Sequence, residues 1–377
     1  MQIKGINFGG WLLMEGYILG GRNIRESDFK EQFAKIYGRD ELEIFEDAFR
    51  NNFINKIDFK NIKEIGFNTV RIPFHYKILN NKKLKYLKNA LDLASQCEIK
   101  VILDLHAAPG AQNQDWHSDS IGEAKLWQKS TYKKKVIKIW EEITSLFKEH
   151  EALLGYDVLN EPVINKKQNV NVVKELYKQI VKAIKAIDNK HIIFLEGDIW
   201  AQRIDFLKDL IEENIQISIH TYQPLEYTFN FIPFYKYPGK ISGTYWDRFR
   251  IEQYLEPYFK FSSENKVKIY VGEFGINWRG SFWGEDKWLS DILEVFKKFG
   301  FGWTYWTYKA VAQNCFPDGL YQYIPNSRFI KREGPIFGWE NYLSLWKKEK
   351  KAIIDFWHTK NFTPNAQLIQ VLKKFLK

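Results

Sequence analysis

The stretch Gly155-Tyr-Asp-Val-Leu-Asn-Glu-Pro162 starts as a short, largely apolar run and ends in an amide, a carboxylate and a proline. Brief runs of this kind are typical of strands that are buried on both faces of a sheet. Seven other runs are similarly short and similarly rich in β-branched or aromatic residues. The eight predicted strands are Ile3–Phe8, Thr69–Pro73, Val101–Leu105, Gly155–Leu159, His191–Leu195, Ile215–His220, Ile269–Gly272 and Gly302–Trp306.

Segments with helical periodicity separate these strands. Four of them keep their apolar residues on one face: Leu84–Ala94, Val136–Phe147, Val173–Ile187 and Trp288–Phe299. Gly300 follows the last of these segments, at the point where a helix stop is expected. Near the start of the chain, the spacing of Asp40 and Glu43 predicts a capping box that opens a further helix.

Eight strands alternating with helices predict an α/β fold in which a parallel sheet closes into a TIM (β/α)8 barrel. An open, doubly wound sheet is the alternative, although the turn after the first strand lacks the Gly-x-Gly-x-x-Gly loop typical of it. The chain is roughly a hundred residues longer than a usual barrel. The surplus falls in Gly9–Phe53, Thr221–Asp247 and Lys309–Phe362, which predicts long insertions after strands 1, 6 and 8. Because no linker or internal repeat is visible, we expect one domain over residues 1–377.

The composition excludes several classes of protein. With 45% hydrophobic and 27% charged residues, the 377-residue chain is not of the disordered type. Two cysteines, Cys97 and Cys315, are too few for a disulfide scaffold or a thiolate zinc site. The net charge of +10 comes from lysines scattered over helices, so we do not expect a nucleic-acid partner. The aromatic content of 17% predicts a surface or cleft lined by rings.

The start of the chain bears on location. Met1-Gln-Ile-Lys-Gly5 runs directly into a predicted strand, and no basic region followed by an apolar stretch and a cleavage site is present. No stretch approaches eighteen uninterrupted apolar residues, so we expect neither a membrane span nor a membrane partner. The sequence therefore predicts a cytoplasmic protein, unless it is a trimmed mature form.

Polar and aromatic side chains stand at or just beyond the ends of six predicted strands. In a parallel barrel, groups at the carboxyl ends of the strands converge on one cavity. We therefore expect one arginine, two histidines, two glutamates, an amide, a phenol and an indole to face the same space. These residues are Arg71, His106, Asn160, Glu161, His220, Tyr222, Glu273 and Trp306.

Glu161 and Glu273 are the most informative of these residues. Each follows an apolar strand, where a carboxylate is costly unless it is paired or used. A single glutamate in such a place is readily explained as a strand-end salt bridge, but two at matching ends favour chemistry. Glycoside hydrolysis needs two carboxyl groups, one protonated to release the leaving oxygen and one ionised to attack or to activate water. Nearby carboxylates also resist losing both protons, which separates their titrations.

Six stretches of this sequence, in the same order, resemble glycoside hydrolase family 5. They are Gly5–Leu12, Val70–Pro73, Asp104–Asn113, Leu159–Pro162, His220–Tyr222 and Gly272–Gly275. The Asn-Glu-Pro triplet is only moderately specific alone, whereas the whole set is strong. The first and third stretches are most similar to the branch of exo-β-1,3-glucanases and β-glucosidases.

The resemblance implies a role for each matching residue. Glu161 would be the general acid/base and Glu273 the nucleophile of a retaining double displacement. The remaining implied substrate-binding or orienting residues are Arg71 and Tyr222 beside the nucleophile, Asn160 at the sugar 2-hydroxyl, His220 beside the acid/base, His106 in the sugar subsite, Trp306 under the bound ring and Glu15 at the terminal sugar.

One segment departs from the branch. Residues 114–119, Gln-Asp-Trp-His-Ser-Asp, replace a Gly-Phe-Asp-Asn-like segment at the border of the sugar pocket. Their spacing matches no zinc motif, so we interpret the segment as a solvated polar loop. We expect most rings in the long loops to pack against the barrel, with Trp116, Trp278 or Trp283 as candidates for holding the leaving sugar.

The resemblance predicts a retaining β-glycosidase that cuts β-glucosides or β-linked gluco-oligosaccharides from the non-reducing end, without a cofactor or metal. An endo-acting β-1,4-glucanase or mannanase of the same family is the first alternative. A barrel that binds carbohydrate without cleaving it is the alternative of another class. The hydrolase interpretation requires the carboxylates of Glu161 and Glu273 to lie roughly 5 Å apart in one solvent-reachable cavity.

Overall fold

The computed structural model describes residues 2–79, 84–164, 169–324 and 338–377. Eight parallel strands form a closed barrel in which each strand pairs with the next along the chain and the eighth pairs with the first. The strands are β1 Lys4–Asn7, β2 Thr69–His75, β3 Lys100–Ala107, β4 Leu153–Asp157, β5 Ile192–Glu196, β6 Ile215–His220, β7 Ile269–Phe274 and β8 Gly302–Tyr305. The TIM-barrel prediction is confirmed, and the predicted strand ends differ from the observed ones by two residues at most.

Ten helices of ten residues or more are present in the described ranges. They are α1 Glu26–Tyr37, α2 Arg39–Asn52, α3 Lys56–Ile65, α4 Lys85–Gln96, α5 Ser130–Phe147, α6 Asn171–Lys185, α7 Arg248–Asn265, α8 Glu285–Phe299, α9 Tyr342–Phe356 and α10 Ala366–Leu376. Shorter helical turns are Tyr76–Leu79, Trp116–Ser118, Lys125–Trp127, Asp198–Ala201, Asp205–Leu210, Leu225–Thr228, Gly338–Asn341 and Thr359–Asn361. The predicted apolar faces are the buried ones, as Val136, Ile139 and Ile143 of α5 illustrate.

Two predictions about helix ends have different outcomes. Gly300 ends α8 in the left-handed conformation, with φ 71°, as predicted. The capping box at Asp40 is wrong, because α2 begins at Arg39 and Gly38, at φ 89°, already takes the N-cap position. Asp40 instead lies in the first turn, where a carboxylate favours the helix dipole. The capping box of this region belongs to Asn55, which opens α3.

The three segments with surplus length carry structure of their own. Residues 9–53 contain α1 and α2. Residues 221–247 contain a helical turn and an antiparallel hairpin of Gly239–Ile241 with Thr244–Trp246. In residues 309–362, Lys309–Val311 pairs with Tyr321–Tyr323, and α9 follows.

Aromatic side chains pack α1 and α2 against α9 and the turn before it. The rings of Phe29 and Trp339 stack with centroids 4.5 Å apart. The other rings of this group are Phe33, Phe45, Phe49, Tyr342, Trp346 and Trp357. Six of the 14 tryptophans are fully buried. Much of the aromatic content therefore serves packing between segments.

A buried ion pair fastens the loop after β1 to these helices. Arg50 Nη2 of α2 donates to Glu26 Oε1 of α1 over 2.8 Å, and Lys30 also pairs with Glu26. The other oxygen of Glu26 accepts the main-chain N–H of Met14 over 2.7 Å. Burial would raise the pKa of Glu26, but the two cations outweigh it and lower this pKa to about 2. The pair thus fixes the backbone beside Glu15, which follows Met14 directly.

The first strand and the last helix meet at the amino-terminal side of the barrel. Lys4 Nζ, at the start of β1, donates to the main-chain oxygen of Lys377 over 2.7 Å. Helix α10 packs on α8 and buries Leu368, Val371 and Leu372. Among the helices of the described ranges, none has the length and apolar character that crossing a bilayer requires.

Candidate active site

A cavity of about 350 Å³ opens at the carboxyl ends of the barrel strands. Seven of the nine site residues predicted from sequence line it: Glu15, His106, Glu161, His220, Tyr222, Glu273 and Trp306. The other two, Arg71 and Asn160, are fully buried behind its floor, where they contact each other. The structure therefore brings all nine residues together.

The backbone at Glu161 is held on both sides. β4 ends at Asp157, and the chain turns so that Glu161 adopts φ 47°, a left-handed conformation that is costly for a residue with a Cβ atom. Its N–H donates to Glu196 Oε2 over 2.6 Å. Its carbonyl accepts from Asn113 Nδ2 over 3.0 Å. These bonds compensate for the backbone strain and fix where the carboxylate enters the cavity.

Each oxygen of the Glu161 carboxylate contacts a different imidazole. Oε1 lies 2.8 Å from His220 Nδ1, and Oε2 lies 3.1 Å from His117 Nε2. Burial would raise the pKa of Glu161, but the hydrogen bonds from His117 and His220 lower it below its usual range. The same contact with Glu161 outweighs the burial of His117 and raises its pKa to about 9.

Glu273 lies on β7 and is held by a guanidinium and a phenol. Arg71 Nη1 donates to Glu273 Oε1 over 2.8 Å, and Tyr222 OH donates to Oε2 over 2.8 Å. Carboxylate oxygens of Glu161 and Glu273 lie within 4.8 Å of one another. The site therefore holds two carboxylates close together. Glu161 contacts two imidazoles, and Glu273 is bound by the guanidinium of Arg71.

Buried carboxylates orient Arg71 from behind. Its Nε donates to Asp157 over 2.9 Å, and its Nη2 lies 3.0 Å from Asp104 and 3.2 Å from Glu196. Burial alone would lower the pKa of Arg71, but these carboxylates and Glu273 raise it well above its usual value. A guanidinium with so many fixed partners has little freedom to leave Glu273.

Glu15, Tyr17, His106 and Trp306 form the opposite wall. The rings of His106 and Trp306 stack with centroids 5.6 Å apart, and Asp104 holds His106 Nδ1 at 2.7 Å. The indole N–H of Trp306 donates to the hydroxyl of Tyr17. Glu15 is buried, its Oε1 has no hydrogen-bond partner within the described residues, and burial raises its pKa to about 7. An unpartnered buried acceptor facing a cavity suits a hydroxyl-rich ligand.

Sequence reasoning missed several residues of the site. Glu196 ends β5 as a buried carboxylate, and its place at the end of an apolar strand is the same signal that marks Glu161. The loop of residues 114–119, expected to be polar and solvated at the border of the pocket, contributes Asp115, Trp116 and His117 to the cavity wall. Trp200 also lines it, and its indole N–H donates to Asp115 over 2.8 Å.

Of the three tryptophans considered for the leaving sugar, Trp116 lies in the cavity wall. Trp278 and Trp283 are absent from that wall. The indole of Trp278 donates instead to Gln367 over 3.3 Å, and the indole ring of Trp283 lies beside Lys236.

Within the described ranges, one group of acidic and histidine side chains is close enough to surround a cation, formed by Glu161, His220 and Glu273. Arg71 and Tyr222 already donate to the two oxygens of Glu273. The imidazoles donate to Glu161. These donors compete with a cation for the carboxylate oxygens, and each oxygen keeps a further lone pair for proton transfer or nucleophilic attack.

Comparison with known sequences places this geometry in a family. The model of the family described as Cellulase (glycosyl hydrolase family 5) matches residues 28–311. A β-xylosidase of Phanerodontia chrysosporium is 28% identical over 332 residues, covering 82% of this chain and 67% of the relative. Endoglucanase C of Acetivibrio thermocellus is 23% identical, with 71% and 88% covered. A probable glucan 1,3-beta-glucosidase A of Aspergillus clavatus is 27% identical, with 60% and 57% covered.

Solved structures agree on the fold. A crystal structure described as a glycoside hydrolase superposes with a TM-score of 0.67 at 20% identity, covering 100% of this chain and 99% of that one. At this identity the likeness speaks for the barrel, while the sequence match over most of the chain speaks for the family. The chain belongs to glycosyl hydrolase family 5 and is a glycoside hydrolase.

Proposed function

We propose that the protein is a retaining β-glycosidase that removes sugar from the non-reducing end of β-glucosides or β-linked gluco-oligosaccharides. The observation that carries the retaining mechanism is the approach of the Glu161 and Glu273 oxygens to within 4.8 Å. Carboxyl groups of retaining enzymes lie about 5–5.5 Å apart, whereas inverting enzymes leave about 6.5–9.5 Å for a water molecule.

In the first step Glu273 is the nucleophile. Its oxygen forms a bond to the anomeric carbon while the bond from that carbon to the leaving oxygen breaks, and Glu161 gives a proton to this oxygen. Arg71 and Tyr222 each donate to one oxygen of Glu273 and so fix the orientation of its carboxylate. The product of the step is a covalent glycosyl-enzyme together with the free leaving group.

In the second step water attacks the anomeric carbon and displaces Glu273. Glu161 takes a proton from this water, so both carboxyl groups return to their first states. Two inversions at one carbon give net retention. Asn160, whose Oδ1 is held by Arg71 Nη2 over 2.8 Å, is the candidate contact for the sugar 2-hydroxyl.

Action at a chain end is supported by the wall around Glu15. The cavity is compact, and Glu15, His106 and Trp306 gather hydrogen-bonding and stacking groups at one end of it. Such a wall suits the hydroxyls of a terminal sugar. The names of the relatives include both end-acting and internally acting enzymes, a glucan 1,3-beta-glucosidase and an endoglucanase. Endo action is therefore the second candidate.

Replacing the two glutamates tests the mechanism. We expect Glu273→Ala and Glu161→Ala to lower kcat on an aryl β-glucoside by roughly 10³-fold or more while leaving the thermal unfolding midpoint close to wild type. Glu213→Ala, at an exposed site away from the cavity, is the control. NMR of the first product formed should show the β-anomer. A first product in the α-form, or near-normal turnover by folded Glu273→Ala, contradicts the proposal.

Product timing separates exo from endo action. An oligosaccharide labelled at its reducing end should lose one unlabelled monosaccharide in the first turnovers if the enzyme acts at the non-reducing end. Mid-length products at that stage would instead support the endo alternative. A panel of aryl β-glucoside, β-xyloside and β-mannoside then ranks the sugars, with the xyloside included because one relative is named a β-xylosidase.

A further inference from the structure

His117 is placed in the cavity by a loop that is anchored on both sides. It lies in the helical turn Trp116–Ser118 between β3 and α5. On one side Ser118 Oγ donates to the carbonyl of Asn113 over 3.2 Å. On the other side Asp119 accepts the N–H of Ser27 over 2.9 Å and lies 3.0 Å from His75 Nε2. These loop contacts therefore fix His117 in the position where it contacts Glu161.

The two imidazoles on Glu161 are not equivalent. His220 is buried among three carboxylates, with Nδ1 2.8 Å from Glu161 and 3.6 Å from Glu273, and Nε2 3.2 Å from Glu196. Each ring nitrogen of His220 therefore faces a buried carboxylate. His117 contacts one carboxylate through Nε2, and its side chain is 16% exposed in the cavity wall. His117 is thus the imidazole able to exchange a proton with Glu161 and with solvent.

A general acid must carry a proton when the leaving group departs. In the free enzyme both oxygens of Glu161 accept N–H groups, an arrangement that favours the ionised carboxylate. Asn113 Nδ2, 3.2 Å from the same ring nitrogen of His117, donates to the main-chain oxygen of Glu161. With Glu161 ionised, the proton required in the first step has to come from an imidazole that contacts this carboxylate.

We propose that His117 is a positioning residue that stores the proton of the first step and shares it with Glu161, an inference that rests on the proposed role of Glu161. When substrate binds, the N–H bond of His117 breaks as an O–H bond forms on Glu161 Oε2, leaving a neutral imidazole and a neutral carboxyl group. The leaving oxygen takes this proton. In the second step Glu161 removes a proton from water and passes it back to His117.

The charges around His117 determine the pH at which its imidazolium loses the proton. The carboxylates that raise its pKa are Glu161, Asp115 and Glu15, while burial lowers it. The ring of His106 stands 6.0 Å away, and the indole of Trp116 meets the imidazole edge-on at 5.3 Å. Their balance places the pKa at about 9, so the pair should lose its proton there and the basic limb of kcat/KM should fall at that pH.

The variant His117→Gln tests this role, because glutamine still donates a hydrogen bond but has no titratable proton to transfer to Glu161. On phenyl β-glucoside we expect the basic limb of kcat/KM to move down by one pH unit or more, a loss of about tenfold at pH 9. On 2,4-dinitrophenyl β-glucoside, whose leaving group needs little protonation, the loss should be several-fold smaller. His150→Gln is the control, since His150 lies outside the cavity. A basic limb identical to wild type overturns the inference.

A second variant is needed in case the glutamine of His117→Gln disturbs the loop that carries residue 117. Chemical rescue by imidazole provides this test. In His117→Gly, added imidazole should restore the basic limb on phenyl β-glucoside, because the vacated place opens to the cavity. No rescue in a folded variant contradicts the proposal. Glu161→Gln distinguishes failure of the acid/base assignment from failure of the role of His117. If Glu161→Gln retains turnover on phenyl β-glucoside, the acid/base assignment fails. If it loses turnover while His117→Gln keeps the wild-type limb, only the role of His117 fails.

Discussion

Glu161 and Glu273 are the same amino acid in two environments. Imidazoles surround the first, and the second rests on Arg71 and the hydroxyl of Tyr222. A carboxylate fixed by a permanent cation suits attack on carbon, whereas one in contact with groups that gain and lose protons suits proton transfer. The division of labour follows from neighbours contributed by β2, β6 and the loop after β3.

Removing the hydroxyl of Tyr222 tests one of these neighbours. Tyr222→Phe leaves Glu273 Oε2 without the donor at 2.8 Å, so the nucleophile loses part of its orientation. We expect kcat on an aryl β-glucoside to fall by about 10²-fold with KM changed only slightly. Tyr245→Phe, on the exposed hairpin, is the matched control. Equal loss in both variants, or none in Tyr222→Phe, would contradict this role.

We expect the buried carboxylate of Glu15 to lower the free energy of unfolding at neutral and basic pH, although it helps to bind the substrate. Its pKa is about 7 in the folded protein because of burial, above the ordinary value of 4.5. A raised carboxyl pKa contributes stability that is present below pH 4.5 and is lost as the pH rises toward 7. We therefore expect the free energy of unfolding of Glu15→Gln to exceed that of wild type by about 2 kcal/mol at pH 8. At pH 4 the two free energies should be equal, and urea denaturation measures both.

The same variant should bind sugar less well. We expect its KM for an aryl β-glucoside to rise about tenfold, since an amide cannot replace a carboxylate toward two hydroxyls. If Glu15→Gln is less stable than wild type at pH 8, the buried charge of Glu15 does not destabilise the fold. If its KM is unchanged, Glu15 does not contact the sugar.

At the scale of elements, helices α1 and α2 depend on Glu26. Glu26→Gln would leave Arg50 buried without its ion-pair partner, and we expect a loss of about 3 kcal/mol in the free energy of unfolding at pH 7. Because the pKa of Glu26 is lowered to about 2, its contribution is present above pH 4.5 and is lost as the pH falls toward 2. Urea unfolding should show wild type and variant converging over this range.

Glu31→Gln, an exposed change on the same helix, is the control for Glu26→Gln and should leave the free energy of unfolding within about 0.5 kcal/mol. A constant difference between wild type and Glu26→Gln from pH 7 to pH 2 would mean that charge is not what the carboxylate supplies. A difference that vanishes at neutral pH would mean that the ion pair stabilises nothing.

The strands could be predicted from sequence because a strand buried on both faces is largely apolar along its length, as Ile192–Glu196 is until its last residue. The capping box at Asp40 could not be judged in this way. Its spacing fits a cap, but Gly38 adopts φ 89° and starts the helix earlier. A backbone angle of this kind depends on how α1 and α2 pack, which a local pattern does not contain.

The site was predictable where the polar group is attached to a strand. Glu161, Glu273 and Arg71 sit in or next to apolar runs, so their positions follow from the barrel itself. His117 was not predictable, because its place depends on Asp119 reaching Ser27 and His75, which are far away in sequence. Contacts made by long loops are set by tertiary packing, and composition describes these loops only as polar.

For the whole molecule, α10 completes the outer layer of helices. It packs on α8, which precedes β8, and Leu376 reaches Gly66 at the end of α3, which precedes β2. It thus covers the join between the last and first strands. We expect Leu372→Ala to lower the free energy of unfolding by about 3 kcal/mol, measured by urea denaturation. Lys373→Ala, exposed on the same helix, should change it by less than about 0.5 kcal/mol.

The meeting of Lys4 with Lys377 has a practical consequence for handling the enzyme. A resin or electrode coupled beside Lys4 or through helix α10 would bind the amino-terminal side of the barrel and leave the cavity on the opposite side open to solvent. Enzyme immobilised at this side should keep the specific activity of the dissolved enzyme. Random coupling through the many lysines would block the cavity opening in some of the molecules.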